Sequence, residues 1–231
     1  MENYVIFNGF DTTELGLIEE LPYVDKAEKN VEFIEIDGRH GFLTLDKNNY
    51  KPIDYSFKII IKGKEKLDLL KTNFKGSGRL ILSYNPDRYY NATVISTITF
   101  ERQIRDVYVC EVSFLLQPFA YELILQTFMY NAPFHLVNHT NTTARPIIKI
   151  YGTGNGVINI NGNQIILKNI NECVSGCLIL NFELEEAYDF DNNLKNSSIK
   201  GDFLELQEGD NTIFFTGDIA QIEIIPNWRW L

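Results

Sequence analysis

Ile53-Asp54-Tyr55-Ser56-Phe57-Lys58-Ile59-Ile60-Ile61-Lys62 decides the fold class. Ile53, Tyr55, Phe57, Ile59 and Ile61 alternate with Asp54, Ser56, Lys58 and Lys62, and only Ile60 breaks the pattern. A period of two belongs to a strand with one buried face, because successive side chains on extended backbone point to opposite sides. Working outward, residues 31–36, 79–84, 92–100 and 107–116 carry similar patterns and predict further strands. Asn85-Pro86-Asp87-Arg88 predicts a type I turn, with Pro86 supplying the fixed φ. Residues 64–74 depart from the pattern. Leu67, Leu70 and Phe74 fall at helical spacing, and Gly76 follows where a left-handed cap belongs. They predict one short amphipathic helix packed on the sheet, with Lys64, Lys66 and Lys71 on its solvated face.

Residues 138–146 read as a linker. Asn138-His139-Thr140-Asn141-Thr142-Thr143 is polar, lacks periodicity and leads to Pro146. Beyond it, residues 147–151, 157–160, 164–167, 177–184, 213–215 and 219–225 predict short strands at close spacing, with a hairpin turn at Asn161-Gly162. The expected architecture is therefore mainly β. A sandwich or barrel-like domain with one helix spans residues 1–137, and a second β-sandwich spans 147–231.

Composition narrows the function classes. The chain has 231 residues, and 21 Lys plus Arg against 31 Asp plus Glu give a net charge of −10. Such a chain repels phosphate backbones and anionic membranes, so neither sequence-specific nucleic-acid binding nor membrane insertion is expected. Three cysteines are too few and too scattered for a disulfide scaffold. The opening residues lack the basic segment and apolar run of a signal peptide, which predicts synthesis in a reducing cytoplasm. The sequons at Asn91, Asn138, Asn141 and Asn196 then carry no glycan implication.

The chemical motifs thin out on inspection. Gly152-Thr153-Gly154-Asn155-Gly156 follows a strand but precedes another strand, so no helix N-terminus waits for a phosphate, and the glycines are expected to supply positive φ in a hairpin. His40, His135 and His139 form no metal-binding spacing. Asp189-Phe190-Asp191-Asn192-Asn193 begins like a calcium loop, but Leu194 stands where Gly is needed and Lys200 where the bidentate Glu is needed. A solvated loop is expected there instead. Glu183, Glu185 and Glu186 offer carboxylates without evidence of a facing pair. No cofactor, metal or catalytic site is expected. Trp228 and Trp230 share a face of an extended C-terminus, where they could stack on a sugar, seal the sandwich or meet another subunit.

Taken together, these residues resemble the siphophage distal tail protein (Dit) family. Phe7-Asn8-Gly9 and Leu15-Gly16-Leu17 look like its opening strand and turn. Ile36-Asp37-Gly38-Arg39-His40-Gly41 is similar to its I-x-G-R-x-G signature, and Pro86-Asp87-Arg88-Tyr89-Tyr90-Asn91-Ala92 to its P-D-x-Y-Y-x-A segment. Gln117-Pro118-Phe119-Ala120-Tyr121 resembles the close of its first domain. Asp202-Phe203-Leu204 with Gly209-Asp210-Asn211 looks like the close of its galectin-like second domain, although the galectin sugar signature is absent.

The resemblance implies a non-enzymatic virion protein at the distal end of a phage or prophage tail. Six copies would form a hub ring, between the tail tube protein on one face and the tail-tip or tail-associated lysin protein on the other. Receptor-binding or baseplate proteins would attach at the rim. Ile36, Gly38, Arg39 and Gly41 are the expected ring-forming hairpin, within residues 31–51. Two other readings compete. A carbohydrate-binding module for host-surface glycans would depend on Trp228 or Trp230. A cell-wall hydrolase would need a carboxylate pair.

Overall fold

A computed structural model of the chain describes residues 2–95 and 99–231. It divides into two compact units, residues 1–123 with Leu231, and residues 124–230.

Unit 1 contains β1 (Val5–Phe7), β2 (Phe10–Asp11), β3 (Gly16–Leu17), β4 (Lys29–Glu35), β5 (Phe42–Tyr50), β6 (Ile53–Lys62), α1 (Lys64–Asn73), β7 (Ser77–Leu82), β8 (Asn85–Val94), β9 (Thr99–Ile104) and β10 (Val107–Glu122). The deciding stretch is strand β6, with Tyr55, Phe57, Ile59 and Ile61 buried. It pairs antiparallel with β10, setting Cys110 opposite Ile59, Val112 opposite Phe57 and Phe114 opposite Tyr55. Directly opposed residues share a face, so both alternations fill one core. The main path of the sheet runs β2-β1-β7-β8-β10-β6-β3, with β9 also on β10. Its two ends, β2 and β3, are adjacent in sequence, joined through a single 3₁₀ turn at Thr12–Glu14. So short a tether spans at most ~18 Å, which obliges the sheet to curl round on itself. An Asn3–Ile18 bridge ties the two ends together.

Inside the curl, Phe7, Phe57, Phe74 and Phe114 form a ring cluster with centroids 5.3–6.4 Å apart. Helix α1 contributes Leu67 and Leu70 to this core, and Gly76 beyond it takes φ +70°. The expected turn at 85–88 is displaced. Ser83 and Tyr84 make the turn, and Pro86 lies inside β8 at a register shift where neither neighbouring ladder needs its missing N–H. Pro118 sits in the same way within the bulge of β10 between Leu116 and Ala120. Of the strand expected at 92–100, residues 96–98 lie outside the described residues.

Unit 2 contains β11 (Phe128–Tyr130), β12 (Phe134–Asn138), β13 (Ile147–Ile160), β14 (Asn163–Leu167), β15 (Cys177–Asn181), β16 (Glu186–Tyr188), β17 (Ile199–Lys200) and β18 (Gly209–Ile225). Strand β13 pairs with β18 from one end to the other, Ile147 opposite Ile225 and Ile160 opposite Ile213, across two register shifts. Beyond those shifts each changes its outer neighbour. The first half of β13 pairs with β15 and the second with β14, while β18 exchanges β12 for β11. Two layers result, and Ile148, Leu180 and Ile222 from one join Ile158, Ile165 and Ile213 from the other in a single core.

Gly152, Gly154 and Gly156 mark the corner. None has positive φ, contrary to the hairpin expectation; they lie within β13 because the facing strand passes too close for a side chain. A Cβ on Gly152 would stand 2.5 Å from the carbonyl oxygen of Asp218, and the Asp218 carboxylate accepts from Asn155 N–H at 3.0 Å. Gly152→Ala is expected to destabilise unit 2 by about 2 kcal/mol, read as a lowered urea midpoint.

The division between units also falls earlier than the linker expectation. Strands β11 and β12 pair with β18, so residues 124–138 belong to the second unit. The polar run 138–144 is structured rather than a tether. Asn138, Thr140, Thr142 and Ala144 are buried. The Asn138 amide oxygen accepts from Thr140 N–H and Oγ1–H, and its Nδ2 donates to the Thr142 carbonyl. Polar residues that satisfy one another in a core look like a linker in sequence.

Candidate functional site

Strands β4 and β5 form a two-stranded sheet apart from the main one, and every residue from Glu32 to Asn49 is exposed. The base of this hairpin is pinned. Lys51 N–H donates to the Glu28 carbonyl at 2.8 Å, and the Tyr50 ring meets Phe119 edge-on at 5.7 Å. At the tip, Arg39 N–H closes a turn onto the Ile36 carbonyl at 3.1 Å. Gly38 and Gly41 take φ of +79° and +80° with open space around them, so the backbone angle and not crowding demands glycine.

Register assigns the faces. Ile34 opposes Leu43 and Glu32 opposes Leu45 on one side; Phe33 opposes Thr44 and Glu35 opposes Phe42 on the other. Apolar side chains therefore occupy both faces, from 37% exposed at Ile34 to 62% at Phe33, with the Phe33 and Phe42 rings 6.1 Å apart. An isolated hairpin is marginal in water at best, and a contiguous apolar surface of this kind marks a protein contact. Lys29–Asp46 (3.0 Å), Lys47–Glu32 (3.3 Å) and Lys51–Glu28 (3.2 Å) brace it. The Asp46 carboxyl is held below the ordinary carboxylate range by the Asn48 N–H and by Lys29. Ile36, Gly38, Arg39 and Gly41 thus sit together at the tip of one exposed, two-faced arm. The stem, expected only as part of residues 31–51, carries the stronger feature: Phe33, Ile34, Phe42, Leu43 and Leu45.

The other candidates are placed differently. Trp228 is 3% exposed and part of the unit 2 core, with Trp230 half-buried and packed against that core. The exposed His139 ring lies edge-on to both, at 5.4 and 5.9 Å. Trp228 consequently has no free face for stacking on a sugar. Glu183 pairs with Arg229 at 3.6 Å. Residues 190–194 are exposed, in line with the solvated-loop expectation, but Asp189 itself is buried and its own loop closes on it: Asp191 N–H and Asn193 N–H donate at 3.1 and 3.0 Å. Burial alone would raise its pKa, but the Asn193 side-chain amide, these backbone bonds and Lys195 outweigh it and lower the pKa. No grouping of three or more metal-ligating side chains occurs among the described residues. The free Cys110, Cys173 and Cys177 are buried, which pushes their thiols up, Cys110 and Cys177 to about 11. No described helix is long and apolar enough to cross a membrane.

Comparison with known proteins adds the fold. No family model matches the chain, and no curated protein sequence matches it. Among solved structures, the Dit protein (gp 19.1) of phage SPP1 is similar over 100% of both chains, with a TM-score of 0.80 at 13% identity. That protein is described as a paradigm of the hub adsorption apparatus in phages infecting Gram-positive hosts. The chain has the mainly β fold of a Dit protein from end to end.

Proposed function

We propose that this chain is a structural protein of a phage or prophage tail tip, located in the virion after synthesis in the host cytoplasm. Six copies close into a hub ring. The ring joins the tail tube protein to the tail-tip or tail-associated lysin protein, and receptor-binding or baseplate proteins attach at its rim. The chemistry is adhesion between proteins.

The observation that carries this reading is the exposed β4–β5 hairpin, apolar on both faces and uncovered in a single chain. A ring needs one patch on each copy to meet a different patch on the next, and an arm on one side of the chain supplies the first. The Dit-like fold supports the tail-tip setting, and the copy number follows from the family resemblance. A net charge of −10 suits a passage that must let DNA through without holding its phosphates.

Electron microscopy and native mass measurement test the proposal together. A label on the chain is expected at the distal end of a long flexible tail, and the purified protein is expected at six times 26.7 kDa under assembling conditions. A label elsewhere on the particle, or turnover of a defined substrate by clean protein, defeats it.

A further inference from the structure

We propose that Arg39, at the hairpin tip of one copy, seats in an acidic groove on unit 1 of the next copy. The inference rests on the ring reading above and supplies the second patch that heterologous closure requires. The groove, about 410 Å³, borders β6 where that strand extends past its short partner β3, which meets it only at Ile60 and Ile61. Pro22 and Ile60 give it apolar walls, and Glu19, Glu20 and Glu111 set three carboxylates against the single ammonium of Lys58. Among the described residues none of these four charges has an ion-pair partner, and no residue of the chain's own hairpin lines the groove.

The hairpin presents the matching charge. Its lysines at 29, 47 and 51 are each paired within the arm, which leaves Arg39 as the one cation there without an ion pair among the described residues. Asp37 and His40 flank it in the same turn. In a chain of net charge −10, two copies repel unless a local contact of opposite sign aligns them. Apolar stems then provide adhesion, and the arginine sets which patch each arm meets.

Charge reversal tests this in the full chain. Arg39→Glu is expected to weaken ring association about tenfold or more at low salt, with unfolding unchanged because the side chain is exposed. Adding Glu19→Lys and Glu20→Lys is expected to restore rings to the Arg39→Glu chain. In parallel, Arg39→Cys with Glu20→Cys is expected to give covalent oligomers on oxidation, since the native cysteines are buried. Rings that survive Arg39→Glu, or that the compensating lysines fail to restore, overturn this contact and leave the ring reading standing. A wild-type chain absent from tail rings and monomeric at every concentration removes both.

Discussion

Phe33→Asp combined with Leu43→Asp leaves the chain folded and stops its assembly. The two positions lie on opposite faces of the β4–β5 hairpin, 62% and 42% exposed, and neither belongs to the core of unit 1. Substitution at exposed positions away from core, caps and networks moves stability by ~0.5 kcal/mol or less. The cost falls on the assembled state. Each carboxylate would have to lose water against an apolar neighbour with no cation provided for it. Two anchors of ordinary hot-spot strength correspond to at least about a thousandfold weaker association. The expected result is an unchanged thermal melt and circular dichroism, with native mass at one chain where the parent protein gives rings. Each single substitution should retain part of the affinity if both faces are covered. Should one single variant behave as the parent does, that face of the arm is solvent-exposed in the ring and only the other docks.

The hairpin also marks the limit of what the sequence discloses. Core strands declare themselves through alternation, because one face must be apolar and the other must not; Tyr55, Phe57, Ile59 and Ile61 are legible for that reason. The stem of the arm reads as a strand too; in the proposed ring its partners would lie on another copy, and an apolar face with no partner in its own chain looks in sequence like a face already buried. The hairpin tip at Gly38 and Gly41 was legible through the family signature, and φ of +79° and +80° gives the physical reason for glycine there. Other misreadings have local physical causes. The polar residues at 138–144 are internal hydrogen-bond partners of one another. The glycines of 152–156 respond to neighbours about sixty residues away, the Asp218 carbonyl at Gly152, the Asp218 carboxylate at Gly154 and Ile219 at Gly156, and no local pattern announces such neighbours.

Arg229→Met is expected to destabilise unit 2 by about 1–3 kcal/mol, the cost of taking one cation and its hydrogen bonds from a half-buried carboxylate that keeps Arg145. Arg229 is 4% exposed; its Nε donates to the Thr143 carbonyl at 2.6 Å and its second terminal nitrogen to Glu205 Oε1 at 3.2 Å. Glu205 also accepts from Arg145 Nε at 2.7 Å and from the Thr143 hydroxyl at 2.6 Å. Three segments distant in sequence are thereby tied together, beside the Ala144–Leu206 bridge. Burial alone would raise the Glu205 pKa, but the hydrogen bonds from Thr143 and Arg145 and the charge of Arg229 outweigh it and hold the group below its ordinary value of 4.5. The unfolded chain then binds this proton at a higher pH than the folded one does. The network's contribution is therefore complete above about pH 4.5 and is lost as pH falls through the lower, folded value. Glu205→Gln should lose stability at pH 7 and show a flatter decline than the parent below pH 4.5, in urea titrations followed by fluorescence. If the gap between the two proteins is the same at pH 7 and pH 3, the Glu205 carboxylate contributes nothing through its charge, and packing around Arg229 alone holds these segments together.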